Sequence, residues 1–291
     1  MRIGFIGYGE AAYELSSGLV EEGAQHLTAF DVMQTHEKYG QQIKERAKKA
    51  GVNLQESMKD VVSGADVVFV AVPANVNLKA SKELAPLFSK NTLYVDVSAS
   101  SPTIKEEIQQ TLDQAGILYV DVALLGPLPV FKHKVSISAS GSGVHQLIEK
   151  MKPYHMNITA VSDRAGEASA VKLIRSIFMK GIVGLHLETL QAANNWNVSE
   201  EVLHSISETM DSHSFLDTMN RLVTGSSIHA QRRAFELGSS IEMLQDAKLN
   251  AEMSIAAKHK LEELADLNIK ELFHGSKPES WEEVIRAYSN K

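Results

Sequence analysis

From Arg2 to about residue 162, short apolar runs alternate with stretches whose apolar positions recur every three or four residues. The runs Arg2–Ile6, His26–Phe30, Asp66–Val72, Leu93–Val97, Ile117–Asp121, Val135–Ser138 and Asn157–Val161 have the length of strands. Several, such as DVVFVAV, are apolar without alternation, as in a strand covered on both faces of a parallel sheet. Helices are expected at Thr35–Ala50 and Thr103–Gln114, the second opened by Ser101 as cap and Pro102 in the first turn. This alternation predicts an α/β domain on a Rossmann-type, doubly wound sheet over residues 1–163. Beyond it the β pattern stops. Ala165–Asn194 reads as one long helix, and the remainder of 164–291 as an all-α domain of shorter helices. Ser280 and Glu283 have the spacing of a capping box ahead of the last one. No low-complexity linker intervenes, so the long interdomain helix is expected to join the domains, and no internal repeat is visible.

Composition narrows the possibilities. The 291 residues are 44% hydrophobic and 22% charged, as in an ordinary globular protein. A formal charge of −7 argues against a general nucleic-acid partner, since phosphate binding needs concentrated positive charge. The absence of cysteine excludes disulfides, thiolate nucleophiles and cysteine–zinc sites. MRIGFIGYGE reads as a short apolar run broken by glycines rather than the h-region of a signal peptide, and no segment has the roughly 20 apolar residues of a membrane span, so a cytoplasmic home is expected. Histidines are scattered without a metal-binding spacing, so no metal site is expected.

The chemistry begins at the end of the first strand. Gly7, Tyr8, Gly9, Glu10, Ala11 and Ala12 form G-x-G-x-x-A, between a strand and a helix. Gly7 permits the turn, Gly9 lets backbone approach a pyrophosphate, and Ala12 lets helix pack on strand. The following helix N-terminus suits phosphate. Asp31, closing the second strand, is placed to accept hydrogen bonds from ribose hydroxyls and to repel a 2′-phosphate. No arginine stands in Val32–Thr35. NAD is therefore favoured over NADP. Val72, Pro73 and Ser98, in loops at the same edge of the sheet, are further cofactor candidates.

A second signal lies in GEASAVKLIRSIFMKG, residues 166–181. Lys172, Arg175, Ser176 and Met179 share one helical face, on a helix apolar enough to be buried. Either the cations snorkel to water or Lys172 faces a cleft. Arg232 and Arg233 read equally as helix ion pairs with Glu236 or as anion ligands. His133, between Lys132 and Lys134, reads as a polar loop residue.

Four stretches carry a resemblance over nearly the whole chain. Gly4-Phe5-Ile6-Gly7-Tyr8-Gly9 continues to Ala12. Asp96-Val97-Ser98-Ala99-Ser100-Ser101-Pro102 matches D-x-S-T-x-x-P with alanine for threonine. Asp121-Val122-Ala123-Leu124-Leu125-Gly126-Pro127 stands where D-A-P-V-S-G-G is found, and Gly166 to Ser176 aligns with G-x-G-x-x-x-K-x-x-N-N. The chain thus resembles the β-hydroxyacid dehydrogenase superfamily, which includes 3-hydroxyisobutyrate and 6-phosphogluconate dehydrogenases, in a branch with a distinct helical second domain. The resemblance implies an NAD(P)-dependent oxidoreductase acting on a small 3-hydroxy acid or its carbonyl partner, with or without decarboxylation. It places Lys172 as general acid/base, its pKa lowered by burial, by Arg175 and by the nicotinamide. Ser98, Leu125, Gly126, Arg175 and Ser176 become substrate-binding candidates, the active site is expected between the domains, and a homodimer is expected. Leu125, Pro127, Arg175 and Ser176 depart from the family pattern, so reaction class carries over better than substrate. Two alternatives remain at this point: an imine reductase on the same scaffold, and a non-catalytic dinucleotide-binding regulator.

Overall fold

The computed structural model describes residues 1–289. They divide into two compact units, one ending at Ile177 and the other beginning at Phe178, so the division falls inside the long helix rather than at residue 163.

The first unit carries β1 (Arg2–Ile6), α1 (Glu10–Glu21), β2 (His26–Phe30), α2 (Gly40–Ala50), β3 (Asn53–Leu54), α3 (Met58–Val62), β4 (Val67–Val70) and α4 (Asn77–Leu84). It continues through β5 (Leu93–Asp96), α5 (Pro102–Gln114), β6 (Tyr119–Leu124), α6 (Leu128–Phe131), β7 (Ile137–Ser140), α7 (Val144–Met151) and β8 (Ile158–Ser162). The strands form one sheet in the order β3-β2-β1-β4-β5-β6-β7-β8. All neighbours are parallel except β6 and β7, which pair antiparallel, so the doubly wound part ends at β6. The order reverses between β2 and β4 about β1, which opens a crevice at the carboxyl ends of these strands.

Residues alternate faces along each strand, and each face has its own core. Ile3, Phe5, Val67, Phe69, Leu93 and Val95 pack with Leu15 and Leu19 of α1, Ile43 of α2 and Leu147 of α7. Ile6, Val68, Val70, Tyr94 and Tyr119 pack on the other side with Val61 and Val62 of α3 and Ile108 and Leu112 of α5. Covering both faces explains why these strands are apolar throughout.

Two expectations along this unit change. Helix α2 starts at Gly40 rather than Thr35. Asp31 ties down the intervening chain, its Oδ1 accepting from Met33 N–H at 2.8 Å and its carbonyl from Gln34 N–H. Turns centred on an aspartate compete with helix in this way. The short β3 has only two residues, too few for a periodic signal.

Helix α8 (Glu167–Asn195) follows, then α9 (Ser199–Asp211), α10 (Phe215–Ser227), α11 (Ala230–Asp246), α12 (Glu252–Ala265), α13 (Ile269–Leu272) and α14 (Trp281–Ser289). In the second unit Ala230, Leu264, Leu267, Ile269 and Val284 form a small core. Glu188 of α8 is buried and caps α12, accepting from Met253 N–H, Ser254 N–H and Ser254 Oγ. At α14 the capping box slips by one residue. Glu283 accepts from Glu279 N–H at 2.8 Å, and Asn220 Oδ1 takes Trp281 N–H at 2.7 Å. Contrary to expectation α8 is not buried. Ile174 is 65% and Ile177 75% exposed, and Val183 and Leu187 exceed half. Among the described residues, no helix is long and apolar enough to cross a membrane.

Candidate active site

The β1–α1 turn has the conformation its glycines demand. Gly7 has φ +82°, and a Cβ there would lie 2.6 Å from the Ala71 carbonyl oxygen. Only glycine fits. Gly9 is the N-cap of α1, and a Cβ on it would meet nothing within 4 Å, projecting into open space before the helix. The first amides of α1 lack intrahelical acceptors, so this concavity suits a phosphate. Ala12 is fully buried against the sheet. Ala11 is half-buried and Glu10 exposed, so these two offer backbone amides. Tyr8 is different: its side chain points into the core, with its hydroxyl 2.7 Å from Ser16 Oγ, and burial pushes the phenol up to about 12. It serves the turn through backbone alone. Asp31 Oδ2 accepts Tyr8 N–H at 2.7 Å, which fixes the acidic end of β2 to the glycine turn. Each carboxylate oxygen keeps a lone pair for a further donor. The residues present therefore fit a dinucleotide.

Val72 is half-buried and Pro73 exposed in the loop after β4. Ser98, after β5, is 6% exposed, and its Oγ lies 2.8 Å from Asn77 Nδ2 and 2.9 Å from Ser100 Oγ. The segment after β6 holds Leu125, half-buried and bonded through its N–H to the Ser136 carbonyl at 2.8 Å, and exposed Gly126. A Cβ on Gly126 would come within 3.1 Å of the Val135 side chain, so a larger residue at this corner would press on Val135.

Behind these loops lies a group that the motif pattern does not announce. Asp96 and Asp121 are register partners on β5 and β6, so their carboxylates point to the same face of the sheet. Lys105 of α5 lies between them, all three fully buried. Its ammonium sits 2.9 Å from Asp96 Oδ1, 3.2 Å from Asp121 Oδ1 and 3.2 Å from the Asp96 carbonyl oxygen, three acceptors for three donors. Asp96 also accepts from Ser98 N–H, Asn77 Nδ2 and Tyr119 OH. Asp121 reaches the other way. Its Oδ2 accepts Gly166 N–H at 3.1 Å and Ser169 N–H at 3.0 Å, and its Oδ1 accepts Ser169 Oγ at 2.8 Å. Asp121 therefore caps α8 from outside, where a carboxylate also complements the helix dipole.

Lys172 stands one turn past Ser169 and is half-buried. Among the described residues it has no ion pair and no hydrogen-bond partner. Burial is the first cause holding its amine below the ordinary lysine range. The Lys105 ammonium is the second, and Asp121 opposes both. The lowered pKa expected from sequence is present, but the cation acting on Lys172 is Lys105, not Arg175, whose side chain is exposed. Ser176 is half-buried one turn further along. Sequence reasoning missed Lys105 although a signal existed: with Ile108 and Leu112 it occupies the buried stripe of α5.

The other candidates divide. Arg232 pairs with Glu236 at 3.6 Å on an exposed helix face, and Arg233 donates to Ser226 Oγ. His133 is buried at 3% exposure with neither ring nitrogen hydrogen-bonded, instead of lying in an open loop. It packs on Gly18 of α1, where a Cβ would sit 2.0 Å from Nδ1.

Two family models match the chain. Residues 2–100 match the family described as NADP oxidoreductase, coenzyme F420-dependent. Residues 193–264 match a domain of unknown function, DUF1932. An uncharacterised 28.5 kDa protein of Methanothermus fervidus is 30% identical over 237 residues, covering 81% of this chain and 88% of the relative. A conserved protein of unknown function, whose solved structure is described as similar to 3-hydroxyacid dehydrogenases, is 29% identical with a TM-score of 0.62, covering 91% of this chain and 97% of that one. The V8 variant of an imine reductase from Myxococcus stipitatus, in complex with NAD+, shares the fold at 17% identity and a TM-score of 0.73, covering 99% of this chain and 98% of that one. These likenesses, on a glycine turn that opens a dinucleotide-type sheet, define the class. The chain belongs to the β-hydroxyacid dehydrogenase superfamily, in the branch whose helical second domain matches DUF1932.

Proposed function

We propose that the protein is a nicotinamide-dependent oxidoreductase interconverting a small 3-hydroxy acid and its carbonyl partner, with Lys172 as general acid/base. The observation that carries this reading is the setting of Lys172: a half-buried amine, unpaired among the described residues, with its pKa held down. A base must be neutral to accept a proton, and a lysine at its ordinary pKa is neutral too rarely near pH 7. In oxidation Lys172 Nζ takes the hydroxyl proton; in reduction its ammonium returns one to the developing alkoxide. The bound dinucleotide supplies the hydride acceptor or donor.

In this reading the Gly7-Tyr8-Gly9 turn and the amides of Glu10 and Ala11 hold the pyrophosphate, with Ala12 packing α1 on the sheet. Asp31 accepts the ribose hydroxyls and disfavours a 2′-phosphate, which makes NAD the preferred dinucleotide. Val72, Pro73 and Ser98 border the same edge. Arg175 offers a forked donor to the substrate carboxylate, and Ser176, Leu125 and Gly126 frame the rest. Where the product is a β-keto acid, the Lys172 ammonium also stabilises the enolate left by decarboxylation. The apolar side chains that α8 leaves exposed suit a second copy of the chain, hence a homodimer.

The test is turnover of a panel of 3-hydroxy acids with NAD and with NADP, followed by reduced-nicotinamide absorbance. The reading predicts turnover of at least one acid, with NAD the better partner. Dinucleotide binding without turnover of any acid or carbonyl would leave only a nucleotide-holding fold.

A further inference from the structure

We propose that Lys105 is a positioning residue for this reaction: its ammonium locks Asp121 in the orientation that caps α8, and so fixes where Lys172 projects. The inference rests on the proposed role of Lys172 and reaches a residue to which the family pattern assigns no part.

The geometry runs through three elements without a gap. Parallel pairing sets Asp96 beside Asp121, and two carboxylates so placed repel each other in a buried setting. The Lys105 ammonium, in contact with Oδ1 of both, offsets that repulsion and leaves Asp121 Oδ2 facing the helix. That oxygen then takes the Gly166 and Ser169 amides. Ser169 and Lys172 are three residues apart on one helix face, so holding one in place holds the other. The other titratable groups facing this cluster are Tyr119, whose hydroxyl donates to Asp96, and Tyr94, whose phenol lies near the Asp96 charge. Both are pushed up by burial and stay neutral, so Lys105 is the sole permanent cation inside the cluster among the described residues. The same ammonium reaches Lys172 as the second cause of its lowered pKa. One buried side chain thus serves orientation and proton affinity together. A structural role alone would touch only the first.

The test compares the full-length protein with Lys105→Met. The pH dependence of acetylation of Lys172 by acetic anhydride, followed by peptide mass spectrometry without cofactor, reads its free amine directly. The proposal predicts that the Lys172 titration moves up toward the ordinary lysine range. It also predicts that kcat falls roughly 10- to 100-fold while the KM for the dinucleotide is unchanged. The double variant Lys105→Met/Asp96→Asn removes one charge of each sign, and gives the same readout should the single variant fail to fold. An unchanged Lys172 titration in a folded variant, or a loss of kcat that Lys105→Arg restores without restoring the titration, overturns the proposal. A wild-type protein inactive on every 3-hydroxy acid, whose Lys172 titration still moves on Lys105→Met, supports the link to Lys105 and sinks only the assigned reaction.

Discussion

Carboxylates paired in register on adjacent buried strands are an unfavourable choice unless something lies between them. Lys105 supplies the counter-charge, and every polar atom of the trio has a partner. Breaking such a cluster on one side costs about 3–5 kcal/mol, because it leaves charge buried and uncompensated. Urea denaturation of Lys105→Met is expected to show a loss of that size, and Lys105→Met/Asp96→Asn a smaller one. Equal losses would mean that the charges do not act as a unit. Gly9 makes the opposite prediction. Since a Cβ there meets nothing, Gly9→Val should leave the melting temperature nearly unchanged while abolishing dinucleotide binding in a fluorescence titration. Retained affinity would remove the pyrophosphate from this turn. These residues differ in how readable they were. Gly7, Gly9 and Asp31 announce themselves because a sequence motif encodes one local turn. The Lys105 cluster is assembled from three elements and has no local signature beyond a cation on an apolar stripe.

At the level of elements, α1 and the segment after α6 depend on a close approach. His133 fits against Gly18 because glycine leaves room, and Glu22, one turn on, lies 3.9 Å from its Nε2. Burial holds the His133 ring below its ordinary 6.5, Glu22 pulls it up and Lys134 pushes it down. The unfolded chain then binds the proton more readily than the native one. The stability due to a neutral buried ring is complete above pH 6.5, and is lost as pH falls through the depressed folded value. His133→Leu is expected to flatten the fall in stability just below pH 6.5, read as melting temperature against pH for both proteins. Parallel curves would assign the slope to other groups. Element type was legible wherever period and length were clear, as in β1, β2, α5 and α8. Boundaries failed where side chains rewrote the backbone, as Asp31 does before α2. The antiparallel β7 was not legible, since hydrophobic runs carry no direction.

For the whole molecule, the two-part architecture was visible in the change of period near residue 163, because a buried sheet and helices leave different repeats. The division at Ile177 was not, since one continuous helix carries residues of both units. The apolar pattern of α8 also misled on burial: within one chain Ile174 and Ile177 are largely exposed. Sedimentation at micromolar concentration is expected to give twice the 31.9 kDa chain mass, and Ile177→Asp to give monomers. A monomeric wild type would contradict that expectation.

The central claim is that Lys172 moves the proton. Because its pKa lies below 10.5, the oxidative rate should rise with pH through a value under that figure, and the reductive rate should fall through it. The most direct measurement is single-turnover hydride transfer in wild type and Lys172→Ala, at saturating dinucleotide and across this range. The account predicts that the variant binds dinucleotide normally, transfers hydride about 100- to 10,000-fold more slowly and loses that pH dependence. Transfer at the wild-type rate with the same pH profile would contradict it.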